Sequence, residues 1–275
     1  MLKTRIVTAV VLLAVLLGVL FGGYFPAFAA VLLLFLLAAV TEAFQLFQSS
    51  RKQAVFIAAF WTAAFAYTFL LRDSPTQLWF GMSAAIWLLR FVPSLATGLP
   101  PPQGARNTIL GTLYAVAIIG CFAAIAVLFR HSPVYLLSVM ALVWIADIGA
   151  YFSGKAFGKR KLAPSISPGK SWEGAIGGGL AVLVLAGLSI ASHAPQLADT
   201  FAVRLQARMG WAATLGILVV IVAASIVGDL FESQLKRRAG VKDSSHLLPG
   251  HGGVLDRIDA LIPVLPLAAL ISGLL

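Results

Sequence analysis

The chain has 275 residues, of which 60% are hydrophobic and 11% charged, with a formal net charge of +10. Soluble domains are about half apolar and about a quarter charged, so this composition excludes an ordinary water-soluble fold and makes the bilayer the solvent. A mean hydropathy of +0.96 agrees, and the lone cysteine, Cys121, excludes an internal disulfide and reads as a small buried hydrophobe.

The N-terminus carries Lys3 and Arg5 ahead of an apolar run, followed by a loose A-x-A at Ala27 to Ala29. A secretory signal peptide shares these features, but the next apolar run starts at once, so a retained first span is expected. About 20 mostly apolar residues cross a bilayer as a helix. Nine segments qualify: 6–24, 27–47, 54–71, 77–96, 108–129, 133–153, 173–192, 211–231 and 258–275. The runs are continuous rather than alternating, which favours helices over a barrel. The expected fold is therefore all-α, a polytopic helix bundle forming a single transmembrane domain over 1–275. The fourth segment contains Arg90 and Pro93; the seventh contains Gly174, Gly177, Gly178 and Gly179, which predicts close packing inside the bundle.

Positive charge orients the spans. With a cytoplasmic N-terminus, 15 basic residues fall inside (Lys3, Arg5, Arg51, Lys52, Arg106, Lys155, Lys159, Arg160, Lys161, Lys170, Lys236, Arg237, Arg238, Lys242, Arg257) and 4 outside (Arg72, Arg130, Arg204, Arg208). This bias places the N-terminus in the cytoplasm and the C-terminus outside, and it accounts for the net charge without a nucleic-acid partner. Two cytoplasmic loops, 154–172 and 232–257, are long and rich in Gly, Pro, Ser and Lys, as functional loops often are. The half 133–275 is expected to carry the chemistry. No clear internal repeat appears, which weighs against a transporter built from similar halves.

The acids concentrate at one depth. Asp73 and Asp199 read as solvated outer charges. Glu42, near the inner end of the second span, suits a structural or interfacial role as well as a functional one. Asp147, Glu173, Asp229, Glu232, Asp256 and Asp259 all reach the inner-leaflet level. A carboxylate in lipid costs several kcal/mol, roughly, unless paired, hydrated or metal-bound. Asp229/Glu232 and Asp256/Asp259 are spaced i, i+3, so each pair can share a helix face. The carboxylates suit a hard cation such as Mg2+; ion pairing with loop Lys or Arg is the competing reading.

Lys236, Arg237, Arg238 and Lys242 form a dense positive group that also serves positive-inside bias or anionic lipid. Pro249-Gly250-His251-Gly252-Gly253 follows, just before Asp256, and glycines let backbone N–H groups approach phosphate. His251 suits a proton donor, a phosphate contact or a structural hydrogen bond. Gly169-Lys170-Ser171 is not a P-loop, because the first glycine would fall at Pro164 and no strand is expected before it. Ser167, Lys170 and Ser171 still precede a helix N-terminus suited to phosphate. Trp172 reads as an interface anchor.

These residues resemble the phosphatidate cytidylyltransferase family. The C-terminal pattern runs through Ser233, Lys236-Arg237, Lys242-Asp243, His251-Gly252-Gly253 and Asp256-Arg257-Ile258-Asp259. Upstream, Ser167-Pro-x-Lys170-Ser171-Trp-Glu173-Gly is also similar, departing at Gly169 where a lysine is expected. The resemblance implies that phosphatidic acid attacks the α phosphorus of CTP, giving CDP-diacylglycerol and pyrophosphate. It implies metal ligation by Asp229 and Asp256, with Asp147 and Asp259 nearby, and Mg2+ alone or with a second cation. Lys236, Arg237, Lys242, His251 and Arg257 are the expected catalytic groups. Ser167, Lys170, Ser171, Glu173, Ser233, Gly252 and Gly253 are the expected substrate contacts. A multi-pass protein of the inner membrane with its site facing the cytoplasm is expected, and a homodimer is implied by the resemblance alone. The residues also admit an ion-coupled transporter or another membrane lipid kinase or phosphotransferase, although acids confined to one face do not make a path across the bilayer.

Overall fold

The computed structural model describes residues 2–71 and 76–275. Arg72 and Asp73, expected in an outer loop, lie outside the described residues, as do the side chains of Lys3 and Arg5. The chain is a helix bundle with one small hairpin: α1 (Leu2–Phe21), α2 (Phe25–Leu46), α3 (Arg51–Phe65), α4 (Gln77–Ile86), α5 (Val92–Thr97), α6 (Ala105–His131), α7 (Pro133–Phe157), β1 (Lys161–Ala163), β2 (Ser167–Ser171), α8 (Trp172–Ala191), α9 (Phe201–Ala239), α10 (Leu255–Ile258) and α11 (Leu261–Ser272). Among the described residues, seven helical stretches are long and apolar enough to cross a membrane; Ile6–Phe21 and Leu261–Ser272 are apolar but shorter. Those two coincide with the first and last of the nine expected segments.

Helix α6 forms the centre. Leu110, Tyr114, Ile118, Cys121 and Phe122 on it are buried, which bears out the reading of Cys121. The apolar helix α11 packs against α6, α4 and α9, with Leu261, Ile262, Val264 and Leu265 buried. The fourth segment is broken: α4 passes through a π-helical stretch, Trp87–Phe91, into α5. Pro93, at the start of α5, lacks an N–H to donate, so the register must change before it.

Glycines let α7 and α8 approach closely. A Cβ on Gly149 would come to 2.9 Å from the Ala181 methyl, and one on Gly178 would collide with the Ala146 carbonyl oxygen. The glycine-rich segment was expected to pack inside the bundle. Only its glycine face does so; Ile176, Leu180, Val184 and Leu188 form an exposed stripe at i, i+4 spacing on the other side, facing lipid.

Both expected loops begin as helix. Residues 154–157 complete α7, and 232–239 complete α9, so Lys236, Arg237 and Arg238 project from a helix end and not from an irregular loop. Gly240 closes α9 in the left-handed conformation (φ 73°), as a helix C-terminus favours. The remainder of 154–172 is not irregular either: β1 and β2 pair antiparallel, Lys161 opposite Ser171 and Ala163 opposite Ser167.

Candidate active site

Local structure brings the two polar loops together at the C-terminal ends of α7 and α9 and the N-terminal end of α8. Ser171 caps α8, its hydroxyl accepting from Gly174 N at 3.2 Å. Strand β2, ending at that cap, holds Lys170 against α9 nearly three turns before its end, where its ammonium meets Asp229 Oδ2 at 2.5 Å. Ser233, one turn further along α9, donates to Asp229 Oδ1 at 3.2 Å. Asp147, Tyr151, Lys155, Lys170, Ser171 and Asp229 line a cavity of about 430 Å³. Two of the four expected metal-binding carboxylates thus share one open space with two lysines.

A second network lies beside it. Along α9, Lys236 pairs with Glu232 one turn back, and its ammonium also donates to Asp256 Oδ1 at 2.6 Å. The other oxygen of Asp256 accepts from Ser244 N, Ser244 Oγ and Gly253 N, each at 2.8 Å. Burial pushes the Asp256 carboxyl upward, but the hydrogen bonds and charge of Lys236, the Gly253 N–H and Ser244 outweigh it and hold the group at about 2. Asp259 lies between the two networks: its carbonyl oxygen packs on Gly228, the residue before Asp229, where a Cβ would collide with it, and it follows Asp256 by three residues. Its Oδ1 accepts from Ala260 N at 2.7 Å.

The glycine turn is built around carboxylates. Gly252 has φ +80°, and a Cβ there would approach Asp256 Oδ2 at 2.6 Å; one on Gly253 would overlap Ser244 Oγ and the Glu42 carboxylate. Leu248 N donates to Gly252 O at 2.8 Å and His251 N to Leu248 O at 2.9 Å, closing the turn. His251 Nδ1 is buried without a hydrogen-bond partner among the described residues. Lys242, Arg237 and Arg257 are exposed.

A family model described as the cytidylyltransferase family matches residues 3–275. The chain belongs to that family. Phosphatidate cytidylyltransferase of Haemophilus influenzae is 47% identical over 171 residues, covering 59% of this chain and 57% of that protein. The Pseudomonas aeruginosa protein of the same name is 53% identical over 134 residues, covering 49% of this chain and 45% of its own length. The one from Bacillus subtilis is 34% identical over 200 residues, 73% of this chain and 70% of that protein. The chain thus spans about half the length of the first two relatives in these matches.

In this cytidylyltransferase-family chain, two of the expected substrate contacts, Glu173 and Ser167, have partners within their own loop. Glu173 is occupied by its own loop, accepting from Lys159 N at 3.0 Å, Arg160 N at 3.1 Å and Arg160 Nε at 3.2 Å. Ser167 sits in the β-ladder opposite Ala163. One residue is more central than its sequence position suggested. Glu42, buried on α2, accepts from Ser245 Oγ at 2.6 Å, Leu255 N at 2.7 Å, Val254 N at 3.1 Å and Ser244 Oγ at 3.2 Å. It fastens the turn that presents Gly253 and Asp256. The available signal was a carboxylate at a span end with no basic residue beside it.

Proposed function

We propose that the chain transfers the cytidylyl group of CTP to phosphatidic acid, giving CDP-diacylglycerol and pyrophosphate for phospholipid synthesis. The observation that carries this reading is the neighbouring arrangement of Asp147, Asp229 and Lys170 with Lys236, Asp256 and Asp259, in a chain matched by the family model over 3–275. A lipid phosphate oxygen attacks the α phosphorus, the bond to the α–β bridging oxygen breaks, and pyrophosphate leaves with that oxygen. A phosphate monoester has a second pKa of about 6, so the nucleophile is largely ionised at neutral pH and needs no general base. The main obstacle is repulsion between two polyanions. Lys170 and Lys236, with the exposed Arg237, Lys242 and Arg257, supply positive charge against it. The Gly253 and Gly174 N–H groups are taken by Asp256 and Ser171, so the proposed phosphate contacts here are the Gly252 N–H and the hydroxyls of Ser167, Ser171 and Ser233.

Mg2+ fits the donor set. Among the described residues no three His, Cys, Asp or Glu side chains form a ready-made cage. Mg2+ ordinarily takes one or two carboxylates and completes its shell with water and substrate phosphate. In the structure Asp229 and Asp256 are ion-paired with Lys170 and Lys236 respectively, the arrangement the competing reading expected, so metal ligation requires those lysines to move to the substrate phosphates. The two aspartates, with Asp147 and Asp259 beside them, are the proposed ligands. When bound, Mg2+ supplies charge neutralisation at the phosphates.

The same reading places nine spans in an inner membrane, N-terminus in the cytoplasm, C-terminus outside, the site facing the cytoplasm and the chain in a homodimer. The seven long helices and two shorter apolar ones support that count. Mass spectrometry of products from purified protein, CTP and phosphatidic acid, with and without Mg2+, tests the function. CDP-diacylglycerol and pyrophosphate in equal amounts are expected; a phosphorylated lipid or nucleotide-independent ion flux would replace the assignment.

A further inference from the structure

Beside the polar cavity lies an apolar one. It has a volume of about 310 Å³ and is walled by Leu16 and Leu20 of α1, Val31 and Phe35 of α2, and Met140 and Trp144 of α7. That is at the lower end of ligand pockets, roughly 300–1,000 Å³, and too large to be ordinary packing slack in a close-packed interior. Helix α1 forms its outer wall, with Ile6, Val10 and Leu17 exposed on the far side while Leu20 is buried. Arg257 also lines this crevice, and α7 runs from the crevice, at Met140 and Trp144, into the wall of the polar cavity one turn on, at Asp147 and Ala150. An exposed guanidinium therefore lines an apolar slot that adjoins the carboxylate cavity. Thr8 of α1 ties this wall to the glycine turn, its hydroxyl donating to Pro249 O at 2.9 Å.

We infer that this crevice, between α1, α2 and α7, holds an acyl chain of the phosphate-headed lipid, with Arg257 at its end receiving the phosphate. The occupant follows from the chemistry of the two ends. An apolar slot opening at a cation beside the reaction cavity suits a molecule with a hydrocarbon tail and an anionic head. A neutral lipid has nothing for Arg257, and a soluble nucleotide has nothing for the slot. The site rests on the cytidylyl-transfer reading, which it deepens by making α1 and α2 the elements that select the tail.

Two measurements test it. Leu16→Trp and Val31→Trp fill the slot without touching the polar cavity. Each is expected to raise the KM for dioleoyl phosphatidate about tenfold, the loss of roughly two buried methylenes. The KM for dihexanoyl phosphatidate and for CTP should stay unchanged, which also reports an intact fold. Equal effects on both lipids, or none on either, overturn the proposal. In the second measurement no CTP is added. Phosphatidate carrying a photoreactive group near its chain end is crosslinked to the wild-type protein and the adducts are mapped. Adducts on α1, α2 and α7 that excess phosphatidate competes away support the site. Adducts elsewhere, or equal labelling by a matched diacylglycerol probe, overturn it. If the wild type makes no CDP-lipid from either substrate, the function assignment fails while the crosslinking result still decides the crevice.

Discussion

Glu42 on α2 accepts the backbone N–H of Leu255, 213 residues later in the chain, at 2.7 Å. The contact joins the first part of the bundle to the turn carrying Gly253 and Asp256. Removing the carboxylate strands the Val254 and Leu255 N–H groups in a buried setting, at about 1–3 kcal/mol each. Glu42→Ala is expected to lower stability by about 2–4 kcal/mol and to loosen residues 244–255. Hydrogen exchange in detergent micelles measures this; unchanged protection there would contradict the clamp.

Gly253 and Gly169 make opposite predictions. A side chain on Gly253 would overlap Glu42 and Ser244, whereas a Cβ on Gly169 meets nothing within 4 Å. Gly253→Ala should destabilise by about 1–3 kcal/mol and, by displacing the Asp256 turn, reduce kcat about 100-fold. Gly169→Ala should behave as wild type in thermal unfolding and turnover.

Lys236 separates structure from chemistry. Its ammonium answers both Glu232 and Asp256, so Lys236→Met leaves buried carboxylates without a counter-charge and should cost about 3–5 kcal/mol. Adding Glu232→Gln removes one of those charges and should recover much of the stability. Activity should stay lost in both variants if the lysine neutralises phosphate. Recovery of turnover in the double variant would assign Lys236 a structural role alone.

The Asp256 network sets an acid limit. A carboxyl held below its unfolded value of about 3.9 contributes stability that is complete above that value and is lost as the pH falls towards about 2. Protection of residues 244–254 should be constant from neutral pH down to about 4 and decline below it. Asp256→Asn should shrink that decline, leaving the part carried by the Glu42 carboxylate, which holds the same turn. Loss of protection near pH 6 in the wild type would contradict the assignment.

The sequence carried the helices and much of the site for physical reasons that differ by residue. Long apolar runs identify helices because lipid leaves the backbone no other partner. Lys236, Asp256 and the glycine turn lie within one short stretch, where local chemistry reads directly. The Glu232–Lys236 pair is legible too, at i, i+4 spacing, as is the i, i+3 relation of Asp229 and Glu232. In the structure these two acids serve different lysines. Lys170 reaches Asp229 only because 161–171 forms a hairpin, and a segment rich in Gly, Pro and Ser gives no strand signal. Glu42 was ambiguous because its partners lie more than 200 residues away, beyond any spacing rule. The acyl crevice has no sequence signature, since its lining residues match those of an ordinary lipid-facing helix.

The most direct test compares wild type with Asp229→Asn, purified alike in detergent and supplied with phosphatidic acid, Mg2+ and CTP labelled at the α phosphate. The wild type should transfer label to lipid and release one pyrophosphate per transfer. The variant should insert and unfold normally yet transfer at least about 100-fold more slowly. Transfer by the variant at the wild-type rate, or no labelled lipid from the wild type, would contradict the account.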